Sequence, residues 1–241
     1  MGEAKRRQQS GSPSPSRERS SKPAIVAGLA IVAVAIIAGI YYLTLPPAPG
    51  SSELPRVSDD TPPFPAELDR HGISAGPENA AVVVREFADY QCPACARFAE
   101  ASQKLKAQYV DSGKVRFVFF DLPLAQHNNA VPAAMAARCA GDQNRYWGMH
   151  DRLFERQSSW SSAGDPLRHF SAYAEDLELD TRRFNRCMDT DLHREAVDDS
   201  LQVARQLRVA STPTVLVNNI PLNRPGWGQL SAVVERELQD K

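Results

Sequence analysis

Only four cysteines occur among the 241 residues, and just one pair of them, Cys92 and Cys95, stands close together. Zinc takes four ligands, and the sequence offers neither a second close cysteine pair nor a Cys/His cluster. Neither a metal nor an organic cofactor is therefore expected. Excess basic charge is missing too. Residues 1–45 hold six of the 28 Lys/Arg and two of the 29 Asp/Glu, which leaves residues 46–241 at a net charge of −5. That balance gives no reason to expect nucleic acid binding. No internal repeat is visible. A hydrophobic content of 42% is enough for a core, in one large domain or two small ones.

Charge is absent altogether from residues 24–45, which are rich in Ile, Val and Ala. A run of about 20 such residues can cross a bilayer as a helix. A cleaved signal peptide usually has a shorter apolar core and a small-residue cleavage site. Tyr41 and Tyr42 read as an interfacial belt. A long cleaved signal and a core helix apolar on every face are the alternatives. Lys5, Arg6, Arg7, Arg17, Arg19 and Lys22 precede the run, and residues 46–52 contain no basic residue. The positive-inside rule then places the N-terminus in the cytoplasm and everything after 46 outside, as a single-span anchor. Residues 1–23, polar and without apolar periodicity, read as a disordered basic cytoplasmic tail. Residues 46–65, with Pro46, Pro47, Pro49, Pro62, Pro63 and Pro65, read as an extended, semi-rigid tether.

The chemistry concentrates in residues 82–109. The β-branched run Val82-Val83-Val84 predicts a strand that continues toward Gln91. Phe98, Ala101, Leu105 and Tyr109 then recur every three to four residues on one face of a helix. Cys92-Pro93-Ala94-Cys95 thus falls where a strand ends and a helix begins. A thiol there faces unpaired N–H groups and the positive end of the helix dipole, which favour the thiolate. Pro93 suits the first turn, where its missing N–H costs nothing. Such a pair reads as a thiol–disulfide exchange site; half of a zinc site is the bland alternative.

Downstream, residues 115–120 form a strand-prone run between Gly113 and Pro123, completing a βαβ unit with a right-handed crossover. A helical block follows. Pro132 marks a helix start leading to Cys139, and Tyr146, Met149 and Leu153 share the face of a second helix. Asp165-Pro166 reads as a cap and first residue for Leu167, Phe170 and Ala174. Asp180 caps a helix carrying Phe184 and Cys187. Leu192, Ala196, Val197, Leu201, Ala204 and Leu207 form a longer stripe. Strand signal returns at Thr212-Pro213-Thr214-Val215-Leu216-Val217, with a turn at Asn218-Asn219, a short strand at Ile220-Pro221-Leu222 and a final helix over residues 229–239. Residues 67–78 read as a lead-in with turns at Gly72 and Gly76.

The run from Glu86 to Cys95 and the late Thr212-Pro213-Thr214 resemble the DsbA-like branch of the thioredoxin superfamily. His127 with the Ala-rich helix after it, and the run from Tyr146 to Phe154, look like that family's helical insertion. The resemblance covers residues 66–241. It implies an α/β thioredoxin fold with an all-helical insertion (about 127–208) between the second and third core strands, here preceded by one transmembrane helix. The implied activity is protein-disulfide oxidoreduction without cofactor. Its substrates would be reduced or misoxidised extracytoplasmic proteins, and a DsbB-like oxidase in the bacterial inner membrane would be its redox partner.

By the same resemblance Cys92 is the nucleophile and Cys95 the resolving thiol. Pro213 is a cis proline facing them, and Thr212 pairs with a substrate peptide like an added strand. Glu86 is a buried proton acceptor for the inner thiol. Glu86 as a strand-end surface residue and Pro213 as a trans strand-start residue stay open as plainer readings. His127 and His150 read as helix-start and surface residues, and Trp147 and Met149 as core. Ala94 departs from strongly oxidising members, which have His there, so the Cys92 thiolate should be less stabilised. Reductase or isomerase activity, or a tethered peptide-binding or chaperone module, are the competing functions. An even cysteine count outside the cytoplasm argues that Cys139 and Cys187 pair as a structural disulfide, with two free buried thiols as the alternative. Some family members carry a second disulfide in this block.

Overall fold

The computed structural model describes residues 54–58 and 60–240, together with Val34 and Ile36, both helical and exposed. The expected cytoplasmic tail, the rest of the expected membrane helix and the first part of the tether lie outside the described residues. Among the described residues no helix is long and apolar enough to cross a membrane.

A five-stranded sheet organises the domain: β1 (Ile73–Ala75), β2 (Val82–Ala88), β3 (Val115–Asp121), β4 (Thr214–Val217) and β5 (Ile220–Pro221), in the spatial order β1-β3-β2-β4-β5. β2 and β3 are parallel; all other neighbours are antiparallel. α1 (Pro93–Leu105) connects β2 to β3. Between β3 and β4 lie α2 (Ala130–Gly141), α3 (Tyr146–Glu155), the single turn α4 (Gln157–Trp160), α5 (Leu167–Asp176), α6 (Thr181–Asp189) and α7 (Arg194–Gln206). α8 (Trp227–Gln239) ends the fold.

Alternation along β2 divides its side chains between two faces. Val82, Val84 and Ala88 share a buried cluster with Cys95, Phe98, Ala101 and Leu105 of α1 and with Leu230, Val233 and Val234 of α8. On the other face Phe87, Val118 and Phe120 bury against Val203 and Ala204 of α7 and Leu68. A salt bridge crosses that second face. Arg85 donates from Nε and Nη2 to the two carboxylate oxygens of Asp69 at 2.7 and 2.8 Å, with its guanidinium 4.0 Å over the Phe64 ring. Bidentate geometry satisfies both charges, which otherwise could not be buried without large cost.

Several expectations needed correction. β1 stands where only a lead-in was expected. It is three residues long between Gly72 and Gly76, too short for alternation to reveal, and Gly76 turns the chain with φ of +89°. α1 stops at Leu105, and a π-helical turn (Lys106–Val110) follows, where Tyr109 is half-buried against the same cluster as Phe98, Ala101 and Leu105. Asp165 does not cap α5; Pro166 occupies the N-cap position. Leu192 lies outside α7 and is exposed. His150, read as a surface residue, is buried, because its ring packs among Phe119, Trp147 and Phe154. Asp180 does cap α6, accepting from the N–H groups of Arg182 and Arg183 at 3.0 Å each. The described part of residues 54–65 lies against the domain: Pro55 and Pro62 carbonyls accept from Arg236 and Asn219.

Cys139 on α2 and Cys187 on α6 form a disulfide with a sequence separation of 48. Loop-closure entropy for such a ring is about 4 kcal/mol. Replacing both with Ser should lower the unfolding free energy by roughly that amount, read from urea denaturation of the oxidised protein. An unchanged denaturation midpoint would remove the bond from the account of stability.

Candidate functional site

Helix α1 begins abruptly at the end of β2 because Cys92 is its N-cap, with extended φ and ψ of −74° and 122°, and Pro93 is its first residue. The Cys92 backbone N–H turns back to the Asp89 carbonyl at 3.0 Å. The cysteines are free thiols, and one helical turn separates their surroundings. Cys92 is 8% exposed; Cys95, rotated onto the sheet, is 0% exposed. The Thr212–Pro213 bond is cis, and the Cys92 thiol approaches the Thr212 carbonyl oxygen at 3.7 Å.

These positions pull the two thiols apart in acidity. Burial pushes Cys92 up. Hydrogen bonding by the Thr212 side chain, by the backbone N–H groups of Cys95 and Ala94, and by the Cys95 side chain outweighs it, so the thiol lies below its ordinary value. For Cys95 burial dominates, and the charges of Cys92 and Glu86 add to it; its thiol is held far above the ordinary range. Glu86 faces the α1 side of the sheet, 1% exposed. Its Oε2 accepts from the Ser102 hydroxyl at 2.6 Å, while Oε1 has no partner among the described residues. Desolvation pushes its carboxyl up to about 7, against the opposing effects of Ser102 and Lys106.

The loop before Cys92 is clamped from three directions. Asp89 Oδ2 accepts from the Leu124 N–H at 2.8 Å and lies 2.7 Å from His127 Nδ1, and Oδ1 accepts from the Gln91 N–H at 2.6 Å. Gln157 donates to the carbonyls of Tyr90 and Cys92 at 2.7 and 3.0 Å. Gln91 accepts from the Asn129 N–H and donates to the Ser161 carbonyl. Beneath them the Tyr90 hydroxyl sits 2.9 Å from His150 Nδ1 and 3.2 Å from the Tyr146 hydroxyl. Burial, then the charge of Lys106, holds His150 well below its usual value, so the ring is neutral.

Of the residues singled out in the sequence, the fold gathers Cys92, Pro93, Ala94, Cys95, Thr212 and Pro213 around the start of α1, with Glu86 on β2 beneath the helix at Ser102. Cys139 and Cys187 lie elsewhere, in the helical block. The Asp89–His127 contact and the Gln157 clamp escaped the sequence reading, since neither pairing leaves a spacing signal across 38 or 65 residues.

The family model described as Thioredoxin matches residues 69–236. The Na(+)/H(+) antiporter NhaA 3 of Salinispora tropica is 36% identical over 155 residues, covering 64% of this chain. This chain spans only 22% of that antiporter's length. Disulfide bond formation protein D of Bacillus subtilis is 25% identical over 173 residues, which cover 69% of this chain and 77% of that protein. The crystal structure of oxidised BdbD from Bacillus subtilis superimposes with a TM-score of 0.63 at 23% identity, covering 70% of this chain and 94% of that one. That last likeness shows the fold.

Glu86 carries a pH signature. Its carboxyl is raised from 4.5 to about 7 on folding. The stability it contributes is therefore complete below 4.5 and lost as pH rises through about 7. The loss amounts to about 3 kcal/mol. Urea denaturation of wild type and E86Q at pH 5 and pH 8 should show that fall in the wild type only. Parallel behaviour of the two proteins would contradict the assignment.

Proposed function

This chain belongs to the thioredoxin family, and on that premise we propose that it is a DsbA-like protein-disulfide oxidoreductase acting through Cys92-Pro93-Ala94-Cys95. The observation that carries the proposal is the split between the two thiols: one acidified at a helix start beside Thr212, the other buried and hard to ionise. The names of relatives such as disulfide bond formation protein D point to the same chemistry.

The reaction begins with Cys92 and Cys95 joined. A substrate thiolate attacks Cys92 Sγ, and the Cys92–Cys95 bond breaks with its electron pair leaving on Cys95. Cys95 is not stable as a thiolate and takes a proton. Glu86 can supply that proton, since its carboxyl titrates at about 7 and its charge is felt at Cys95. A second substrate thiolate then attacks the substrate sulfur of the mixed disulfide, and Cys92 leaves as the stabilised thiolate. The substrate has lost two electrons and gained a disulfide; the protein pair has gained them. A leaving thiolate of low pKa favours this direction. Ala94 offers neither charge nor side-chain hydrogen bond, so the drive is weaker than where a His stands.

Thr212, at the edge of the thiol, would hold the substrate backbone as an added strand beside Pro213. Cys139–Cys187 serves as the structural disulfide, which suits an oxidising compartment. The uncharged residues 24–45, with six basic residues before them and none in residues 46–52, support a signal-anchor in the bacterial inner membrane. The catalytic domain would then be extracytoplasmic, facing reduced or misoxidised proteins. Re-oxidation would come from a DsbB-like membrane oxidase.

The test uses the full chain in detergent, pre-oxidised, with a reduced unfolded protein as substrate. C92S should lose disulfide formation at least about a hundredfold, because the attacked sulfur is gone. C95A carrying glutathione on Cys92 should exchange it for a single-cysteine substrate peptide, releasing glutathione and leaving a Cys92–peptide mixed disulfide, visible as a mass shift that reductant reverses. Disulfide formation by C92S at the wild-type rate would overturn the proposal.

A further inference from the structure

The sequence offers no Cys/His cluster, yet the fold builds one away from the start of α1. Cys139 near the end of α2, Cys187 on α6 and His193 just before α7 place their sulfur and nitrogen atoms within 4.8 Å of one another. Asp142, the residue that closes α2, brings Oδ2 to 2.9 Å from His193 Nε2 and 3.7 Å from Cys187 Sγ. In the disulfide Cys187 Sγ has no proton, so that last approach is a contact without a hydrogen bond. The hydrogen-bonded His193–Asp142 pair thus stands directly against the sulfurs of the bridge. Two thiolates, an imidazole and a carboxylate are a donor set that zinc accepts.

We propose that reduction of Cys139–Cys187 converts this bridge into a zinc site held by Cys139, Cys187 and His193, with Asp142 as fourth ligand. Any thiol reductant supplies the two electrons. A dithiol becomes a disulfide, the Cys139–Cys187 bond opens, and each sulfur takes a proton. Zinc then binds both sulfurs as thiolates and releases those two protons to solvent. The Cα atoms of the two cysteines are 5.9 Å apart, so the sulfurs can separate to tetrahedral spacing by side-chain rotation. His193 and Asp142 are each partly exposed, which leaves the ion a way in. The bridge would thus hold α2 to α6 in both redox states, covalently when oxidised and through the metal when reduced.

The test is made on the full chain in detergent carrying C92A/C95A, so that the other thiol pair cannot bind metal and the outcome is independent of the proposed activity. Metal-free protein, reduced with a phosphine, is titrated with Co2+ and then with Zn2+. One equivalent should bind, with thiolate-to-cobalt charge transfer, the visible bands of tetrahedral cobalt, and two protons released per ion. The oxidised protein should show none of this. H193A and D142A should each weaken binding by more than the roughly 10- to 100-fold that loss of an outer-shell partner costs. X-ray absorption of bound cobalt needs no ligand substitution and should find two sulfur and two nitrogen or oxygen neighbours. Absence of thiolate bands, equal binding by the oxidised protein, or a shell of nitrogen and oxygen alone would overturn the proposal.

Discussion

A helix that starts at Cys92 and lies along the sheet gives two thiols three residues apart opposite surroundings. The first meets the unpaired N–H groups of the opening turn; the second is carried under the helix onto β2. The acidity of Cys92 needs no charged neighbour. The acidity of Cys92 arises from hydrogen bonds that the backbone and Thr212 provide, and the reluctance of Cys95 from the absence of water. Glu86 belongs to the same constraint. The β2 alternation that buries Val84 beneath α1 also buries the carboxyl two residues on, leaving one oxygen on Ser102 and the other without a partner among the described residues. A group titrating at about 7 is the physical result.

The helical block holds that arrangement. Gln157 grips the carbonyls of Tyr90 and Cys92, Asn129 ties Gln91 to the segment after α4, and Asp89 binds Leu124 beside His127. Every polar atom of the 89–92 loop that these contacts use comes from a residue type whose partner lies far along the chain. A neutral His150 under Tyr90 completes the support, since burial among aromatic rings and the charge of Lys106 both disfavour the imidazolium.

What could be read from the sequence followed from local physics. Periodicity exposes β2, α1 and β3, and Pro93 and Asp180 mark helix starts through backbone chemistry that depends only on neighbours. The thiol pair is legible because its position relative to strand and helix is itself local. Features set by tertiary packing were hidden. β1 exists only because β3 offers an edge to its three residues. His150 is buried by aromatics drawn from the loop after β2, from β3 and from α3, and the Cys139–Cys187–His193 grouping depends on how α2 and α6 pack. Hydrophobic pattern tells which face is inside; it does not tell which polar residue follows it there.

The central claim is that hydrogen bonding at the start of α1 makes the Cys92–Cys95 disulfide a donor of disulfides, moderated by Ala94. The reduction potential of this pair, equilibrated against glutathione in the full chain with Cys139 and Cys187 left joined, tests it most directly. The account predicts a value between thioredoxin, at about −270 mV, and the strongest oxidant of this fold, at about −120 mV. A potential at or below about −270 mV would contradict it, since such a pair holds its disulfide too firmly to give it away.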